Sequence, residues 1–286
     1  MKINVKKTWI SAYTLITENP VILFPTLIIG FLELFCLELI YFFPRPPLMY
    51  IMNPIVKKLF GEVYVHYPGN MLMSMRMIRG AQMFIYVAFG VFLYAVTINM
   101  VKTITEGKTL KLKAQAKNTL KRYVSCMILG ALLIAVFYLE RKLCMPLFQK
   151  GILFLKGFAH GILIKYNPYV LSAALFVTNI VITVLIIPVL PFMILGKLPL
   201  AKAFLKGIYF GIRGFFGIFT LILLPYIVYL PMLVLKSFPV ALMGKTAPEI
   251  LPVMLALDIV VALAVECFVI VSVSLCVLDT QKDKKI

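Results

Sequence analysis

Six apolar runs leave this chain little freedom of fold class. Segments at about 21–43, 81–101, 123–139, 169–195, 215–235 and 250–278 each supply the roughly 17–25 residues of helix that cross a hydrocarbon core. A backbone in lipid has to satisfy its own polar groups, and runs of this length do so as helices. Mean hydropathy is +1.01, and only 14% of the 286 residues are charged, too few to cover a soluble globule of this size. The expected fold is all-α: a polytopic integral membrane bundle of about six transmembrane helices with interfacial amphipathic helices, forming a single membrane domain over residues 1–286.

Lys and Arg number 29 against 11 Asp and Glu, a net charge of +18. On a soluble chain that excess would point to nucleic acid. Here the bases fall between the apolar runs, so the expected partner is the lipid bilayer, in particular its anionic phospholipid, and no nucleic acid. The N-terminus, the 102–122 and 196–214 connections and the C-terminus hold 17 of the bases, against 12 in the longer opposite set of connections. The positive-inside rule then places both termini in the cytoplasm, in the inner or plasma membrane of the cell. Lys2, Lys6 and Lys7 precede the first run as they would in a signal peptide. That run is too long and lacks a small-residue cleavage pattern, so it reads as an uncleaved span.

Shorter patterns fill the connections. Val5, Trp9, Tyr13 and Ile16 recur at helical spacing before Asn19-Pro20, which predicts an interfacial helix that ends where the first span starts. Residues 44–80 carry turn signals at Pro44-Arg45-Pro46-Pro47, Asn53-Pro54 and Tyr67-Pro68-Gly69-Asn70 around a short helical pattern through Ile55, Val56, Leu59 and Phe60. Residues 146–165 space Phe148, Ile152, Leu155, Ala159 and Ile162 by three or four. Both segments read as resting on the outer interface. A motif GKxxxxKAxxK occurs twice, from Gly107 to Lys117 and from Gly196 to Lys206, each time between spans on the cytoplasmic side. It predicts two hairpins of the same orientation, each turned by a basic amphipathic helix.

An interfacial helix ending in Glu18-Asn19-Pro20, a first span opening with Phe24-Pro25, six spans and two Gly-Lys linkers together resemble a group of uncharacterised prokaryotic six-span membrane proteins. That group is similar to the membrane domain of some bacterial glycerophosphodiester phosphodiesterases. The resemblance covers most of the chain and implies the six-span fold. It implies no phosphodiesterase chemistry, because no segment between the spans is long enough to hold the catalytic domain.

Four of the 11 carboxylates lie inside spans: Glu33 and Glu38 in the first, Asp258 and Glu266 in the sixth, with no Lys or Arg inside any span to pair with them. An acid at the bilayer centre costs on the order of 2.5–3.5 kcal/mol. The 16 Leu, Ile, Val and Phe of residues 21–43 return roughly 5–10 kcal/mol against roughly 5–7 for two acids, so these acids should face other helices or water. Glu33 and Glu38 stand about 140° apart on a helix, whereas Asp258 and Glu266 stand about 80° apart and can border one cavity. If the first and last spans are neighbours, Glu33 and Glu266 meet at the midplane. Pro188 and Pro191 break the fourth span and Pro225 and Pro231 the fifth, and the carbonyls they free are satisfied by protein or by water in a cavity. Thr178, Asn179, Thr183, Asn99 and Thr220 supply either polar cavity walls or packing contacts.

Cys36, Cys126, Cys144, Cys267 and Cys276 are isolated, and His66 and His160 are far apart, so neither metal nor cofactor is expected. No nucleophile motif, phosphate loop or zinc motif is present, and an enzyme has the least support. The favoured function is a non-catalytic membrane scaffold, or a protein binding lipid or a partner, through Lys108, Lys111, Lys113, Lys117, Lys121, Arg122, Lys197, Lys202 and Lys206. The alternative is a transporter or permease with a cavity lined by the intramembrane carboxylates.

Overall fold

The structure, a computed structural model, describes residues 3–67, 69–155, 162–237 and 249–283. The middle of the expected 146–165 segment, with His160, and most of the 236–249 connection lie outside the described residues. In chain order the helices are α1 (Val5–Glu18), α2 (Phe24–Phe42), α3 (Leu48–Phe60), α4 (Gly69–Ile85), α5 (Val91–Thr105), α6 (Leu112–Leu120), α7 (Tyr123–Leu155), α8 (Ile162–Ile186), α9 (Val189–Leu195), α10 (Leu200–Arg213), α11 (Phe215–Ser237) and α12 (Ile250–Asp283). Six stretches are long and apolar enough to cross a bilayer: Pro20–Phe42, Gly69–Thr105, Tyr123–Phe148, Ala173–Leu195, Phe215–Lys236 and Ile250–Gln281. The chain is an all-α, multi-pass membrane bundle.

The second span begins well before residue 81. Helix α4 starts at Gly69 and passes through a five-residue π-helical turn, Tyr86–Gly90, directly into α5. Hydropathy stops short here because Arg76 and Arg79 dilute the run; Arg76 lies over the Tyr64 ring at 5.4 Å. The short helix expected before it is α3, which buries Val56 and leaves Tyr50, Ile51, Ile55 and Leu59 exposed, the outward apolar face of a helix resting on a bilayer. Just after it, the Lys57 ammonium at 2.7 Å holds the exposed Glu62 carboxyl below the usual carboxylate range. The third span also outruns its expected end, α7 continuing through Pro146 to Leu155.

At the centre stands α12, apolar on all sides apart from the positions of Asp258 and Glu266 and most enclosed by other helices over its second half. Residues 271–278 are all buried, and α12 contacts α1, α2, α4, α5, α9 and α11. The first and last spans are therefore neighbours. Helix α1 lies along the same helix: Trp9 meets Phe268 edge-on at 6.2 Å, Thr8 contacts the Cys276 thiol, and Thr8 and Ala12 are buried. Its packing face thus runs through Thr8 and Ala12, while Tyr13 of the expected apolar stripe is exposed.

The two Gly-Lys linkers form the same supersecondary unit with different glue. Gly107 turns the first at φ +67° and Lys197 the second at φ 51°, and each is followed by a helix, α6 or α10, that folds back on the preceding span. Polar groups hold α6: the Asn99 amide donates to Thr119 Oγ1 at 2.7 Å and the Gln115 amide to Thr103 Oγ1 at 2.9 Å. Small residues hold α10, where Gly207 and Gly211 let two backbones approach. A Cβ on Gly207 would sit 2.7 Å from Val189 Cα, and one on Gly211 would sit 2.8 Å from the Val184 carbonyl oxygen. This is the small-xxx-small contact of membrane helices. Arg122 joins the two units, donating from Nη1 to the carbonyls of Met193 in the last turn of α9 (2.6 Å) and of Leu198 just beyond it (2.7 Å), where a cation also complements the negative end of the helix dipole. Substituting Gly207→Val is expected to overpack this contact by about 1–3 kcal/mol, read as a lower thermal midpoint in detergent micelles; Ile208→Val, without that close approach, serves as the control.

Candidate functional site: a polar-walled cavity between the spans

A cavity of about 390 Å³ opens inside the bundle, and its two walls differ in kind. Helices α5, α7, α8 and α9 contribute mainly Val, Ile, Leu and Phe side chains. Helices α2, α4, α11 and α12 contribute Glu33, Arg79, Gln82, Tyr226, Tyr229, Lys236, Asp258 and Glu266. The polar wall follows from helical spacing. Asp258, Ala262, Glu266, Ile270 and Val273 recur at intervals of three or four along α12, as do Arg79, Gln82 and Tyr86 on α4 and the π-turn.

Each carboxylate on this wall has a named donor. The Gln82 amide donates to Glu33 Oε2 at 2.9 Å. The Tyr94 hydroxyl donates to Glu266 Oε2. Asp258 accepts from two groups of α11, the Tyr229 hydroxyl on Oδ1 at 2.7 Å and the Lys236 ammonium on Oδ2 at 2.6 Å. Lys236 also reaches the Tyr229 oxygen at 3.4 Å. Eight residues separate Asp258 from Glu266, so the ion pair stands about 12 Å along the helix axis from Glu266, toward the ends of the spans that face residues 237 and 250.

The residues singled out in sequence divide clearly. Glu33, Asp258 and Glu266 share the cavity, with Asp258 and Glu266 on one stripe of α12 as their spacing predicts. Glu38 does not join them: it is exposed on the opposite side of α2, as its angle from Glu33 requires. Asp258 is not unpaired. Lys236 lies one residue past the expected end of the fifth span, and its four-carbon stem lets the ammonium reach back into the bundle. Of the prolines, Pro191 lines the cavity and Pro188 separates α8 from α9. Helix α11 continues through Pro225, which is buried, and Pro231, which is exposed, with neither on the cavity wall.

Thr183 lines the cavity, although its hydroxyl donates within its own helix to the Asn179 carbonyl. Thr178 and Thr220 likewise bond their own helices, at Ala174 and Phe216, and Asn99 bonds Thr119. These are packing and capping contacts. Lys108, Lys111, Lys113, Lys117, Lys121, Lys197, Lys202 and Lys206 are all exposed, whereas Arg122 is turned inward onto the α9 carbonyls.

Sequence reasoning missed Arg79, Gln82, Tyr86, Tyr94, Tyr226, Tyr229 and Lys236. The spacing of Tyr226 and Tyr229 was a readable signal, two hydroxyls three residues apart in an apolar run. Gln82 and Tyr94 were not readable as one face, because an uninterrupted α-helix sets them about 120° apart. The π-turn at Tyr86–Gly90 absorbs one extra residue, which reduces that angle to about 20°. Both side chains then reach the cavity, and the Tyr86 and Tyr94 rings lie 6.3 Å apart. The Tyr123 hydroxyl donates to the Ala88 carbonyl within the turn, at 2.8 Å.

In comparison with known proteins, no family model, no curated protein and no solved structure matches the chain. The reading of the site therefore rests on its own geometry. Removing one of these donors leaves a half-buried acid one partner short. Tyr94→Phe and Gln82→Leu are each expected to lower stability by about 1–3 kcal/mol, measured as thermal unfolding in micelles, and Glu266→Gln should reduce the loss seen with Tyr94→Phe.

Proposed function

We propose that this membrane protein binds a small amphipathic cation in the cavity and carries it between the two faces of the bilayer. The observation that carries this reading is the pairing of an apolar wall with a polar wall on which, among the described residues, acids outnumber bases, Glu33, Asp258 and Glu266 against Arg79 and Lys236. An apolar body meets α5, α7, α8 and α9. A cationic centre meets the polar wall, whose net negative charge gains more from a counter-charge in a low-dielectric site than it would in water. Ligand cavities in membrane bundles combine these properties, and the volume suits a compact organic ion.

Tetraphenylphosphonium is a suitable probe, being apolar throughout with one positive charge. Purified protein is expected to bind it, and Glu33→Gln and Glu266→Gln are each expected to weaken binding at least about tenfold, or about 1.4 kcal/mol. Because tetraphenylphosphonium also crosses bare lipid, transport is read with the poorly permeant tetraethylammonium. Proteoliposomes should accumulate that ion in response to a potential faster than protein-free liposomes, and more slowly with either variant. Binding that is absent, or indifferent to both substitutions, would overturn the assignment.

The exposed lysines of the two Gly-Lys linkers support a second activity compatible with the first. Eight ammonium groups, from Lys108 to Lys121 and from Lys197 to Lys206, point away from the bundle. Each is worth about 1 kcal/mol near an anionic surface. We read this side as cytoplasmic and as the docking face for anionic phospholipid headgroups. Exchanging Lys113, Lys117, Lys202 and Lys206 for Glu is expected to reduce the phosphatidylglycerol retained by the purified protein, counted by native mass spectrometry. Equal retention would remove this reading and leave the cavity untouched.

A further inference from the structure

We propose that Lys236 is a tethered occupant of the cavity, its ammonium holding the place at Asp258 that the cationic centre of the ligand takes when it binds. The inference rests on the cavity reading above and specifies how that site chooses its ligand. Asp258 is the most enclosed acid of the polar wall, its side chain 3% exposed, while that of Lys236 is 24% exposed. The donor arrangement is unequal. Gln82 and Tyr94 hold Glu33 and Glu266 through neutral donors. Among the described residues, Asp258 is the one acid of the three that accepts from a cation, and that cation sits at the tip of a flexible stem at the end of α11.

A buried ion pair fixed for stability alone needs no such stem, and a shorter neutral donor would serve, as Tyr229 already does on the other carboxylate oxygen. Lys236, Tyr229 and Asp258 all line the same cavity, so an ammonium, sulfonium or phosphonium centre entering along the polar wall meets Asp258 only after Lys236 withdraws. With Lys236 outside, Tyr229 continues to hold one Asp258 oxygen and the other is free for the incoming charge. Occupation by the lysine and occupation by the ligand are then mutually exclusive. Anions offer Asp258 nothing in exchange for the lysine, and a neutral solute offers a hydrogen bond without the counter-charge. The empty carrier keeps Asp258 neutralised, which lowers the cost of a return step through the bilayer.

The quantitative consequence is a lowered apparent affinity, since a ligand binds only the fraction of molecules in which the lysine has withdrawn. For a withdrawn population of about 1–10%, Lys236→Met is expected to tighten tetraphenylphosphonium binding about 10- to 100-fold, while Lys236→Arg stays near the unaltered protein. In the unaltered protein, reductive methylation of Lys236, followed by mass spectrometry, is expected to accelerate at saturating probe because the ammonium has left Asp258. Unchanged or weaker binding by Lys236→Met, or labelling slowed or unaffected by the probe, would overturn the tethered occupant. If Lys236→Met does not fold, the labelling experiment on the unaltered protein decides alone. Failure of the cavity reading is recognised separately, as loss of probe binding by the unaltered protein, Lys236→Met and Lys236→Arg alike, or as binding that ignores Glu33→Gln and Glu266→Gln.

Discussion

Hydrocarbon offers a carboxylate neither a hydrogen bond nor a counter-ion, so each acid on the cavity wall takes a partner from a neighbouring helix. Three acids here make that demand on three helices. Glu33 draws in α4 through Gln82, Glu266 draws in α5 through Tyr94, and Asp258 draws in α11 through Tyr229 and Lys236. Two of the acids ride on α12, which explains why that helix, otherwise apolar on every side, is the one against which the others are arranged. The cavity is a by-product of the same requirement. Donors that converge on acids from different helices leave space between them, and the aliphatic side chains of the facing helices close it.

Much of this was legible in sequence. The six spans follow from run length alone, and the spacing of Asp258 and Glu266 placed both on one stripe before any neighbour was known. The separation of Glu38 from Glu33 followed from the same arithmetic. What could not be read was any feature set by an exception to regular geometry or by the reach of a side chain. The π-turn hid the common face of Gln82 and Tyr94. Lys236 was assigned to a connection because hydropathy registers where a residue's backbone lies, whereas its charge is placed by a flexible stem. Arg122 was grouped with its exposed neighbours for a similar reason, and its contacts with Met193 and Leu198 could not be inferred without knowing where the broken fourth span ends.

The duplicated linker separates what a repeat preserves from what it does not. Both copies turn on a Gly-Lys pair and keep their lysines outward. The contacts beneath differ entirely: amide and hydroxyl groups seat α6, while close backbone approach at Gly207 and Gly211 seats α10, with Phe192 and Phe210 edge-on at 5.3 Å beside them. The shared property is therefore placement of charge at the membrane surface, and the interior is free to reach it by different means.

The wide turn at Tyr86–Gly90 has a consequence for how such a chain can change over time. An extra residue in a connection is inconsequential, but one held within a span sets the rotational phase of everything on its N-terminal side. Deleting a single residue there would leave hydropathy, span count and charge balance as they are, and would still be expected to insert. Arg79 and Gln82 would nonetheless swing about 100° around the helix axis, away from Glu33. The alignment of this cavity is stored in the length of a helix as much as in its composition, and a change of one in that length would pass unseen by any measure of polarity.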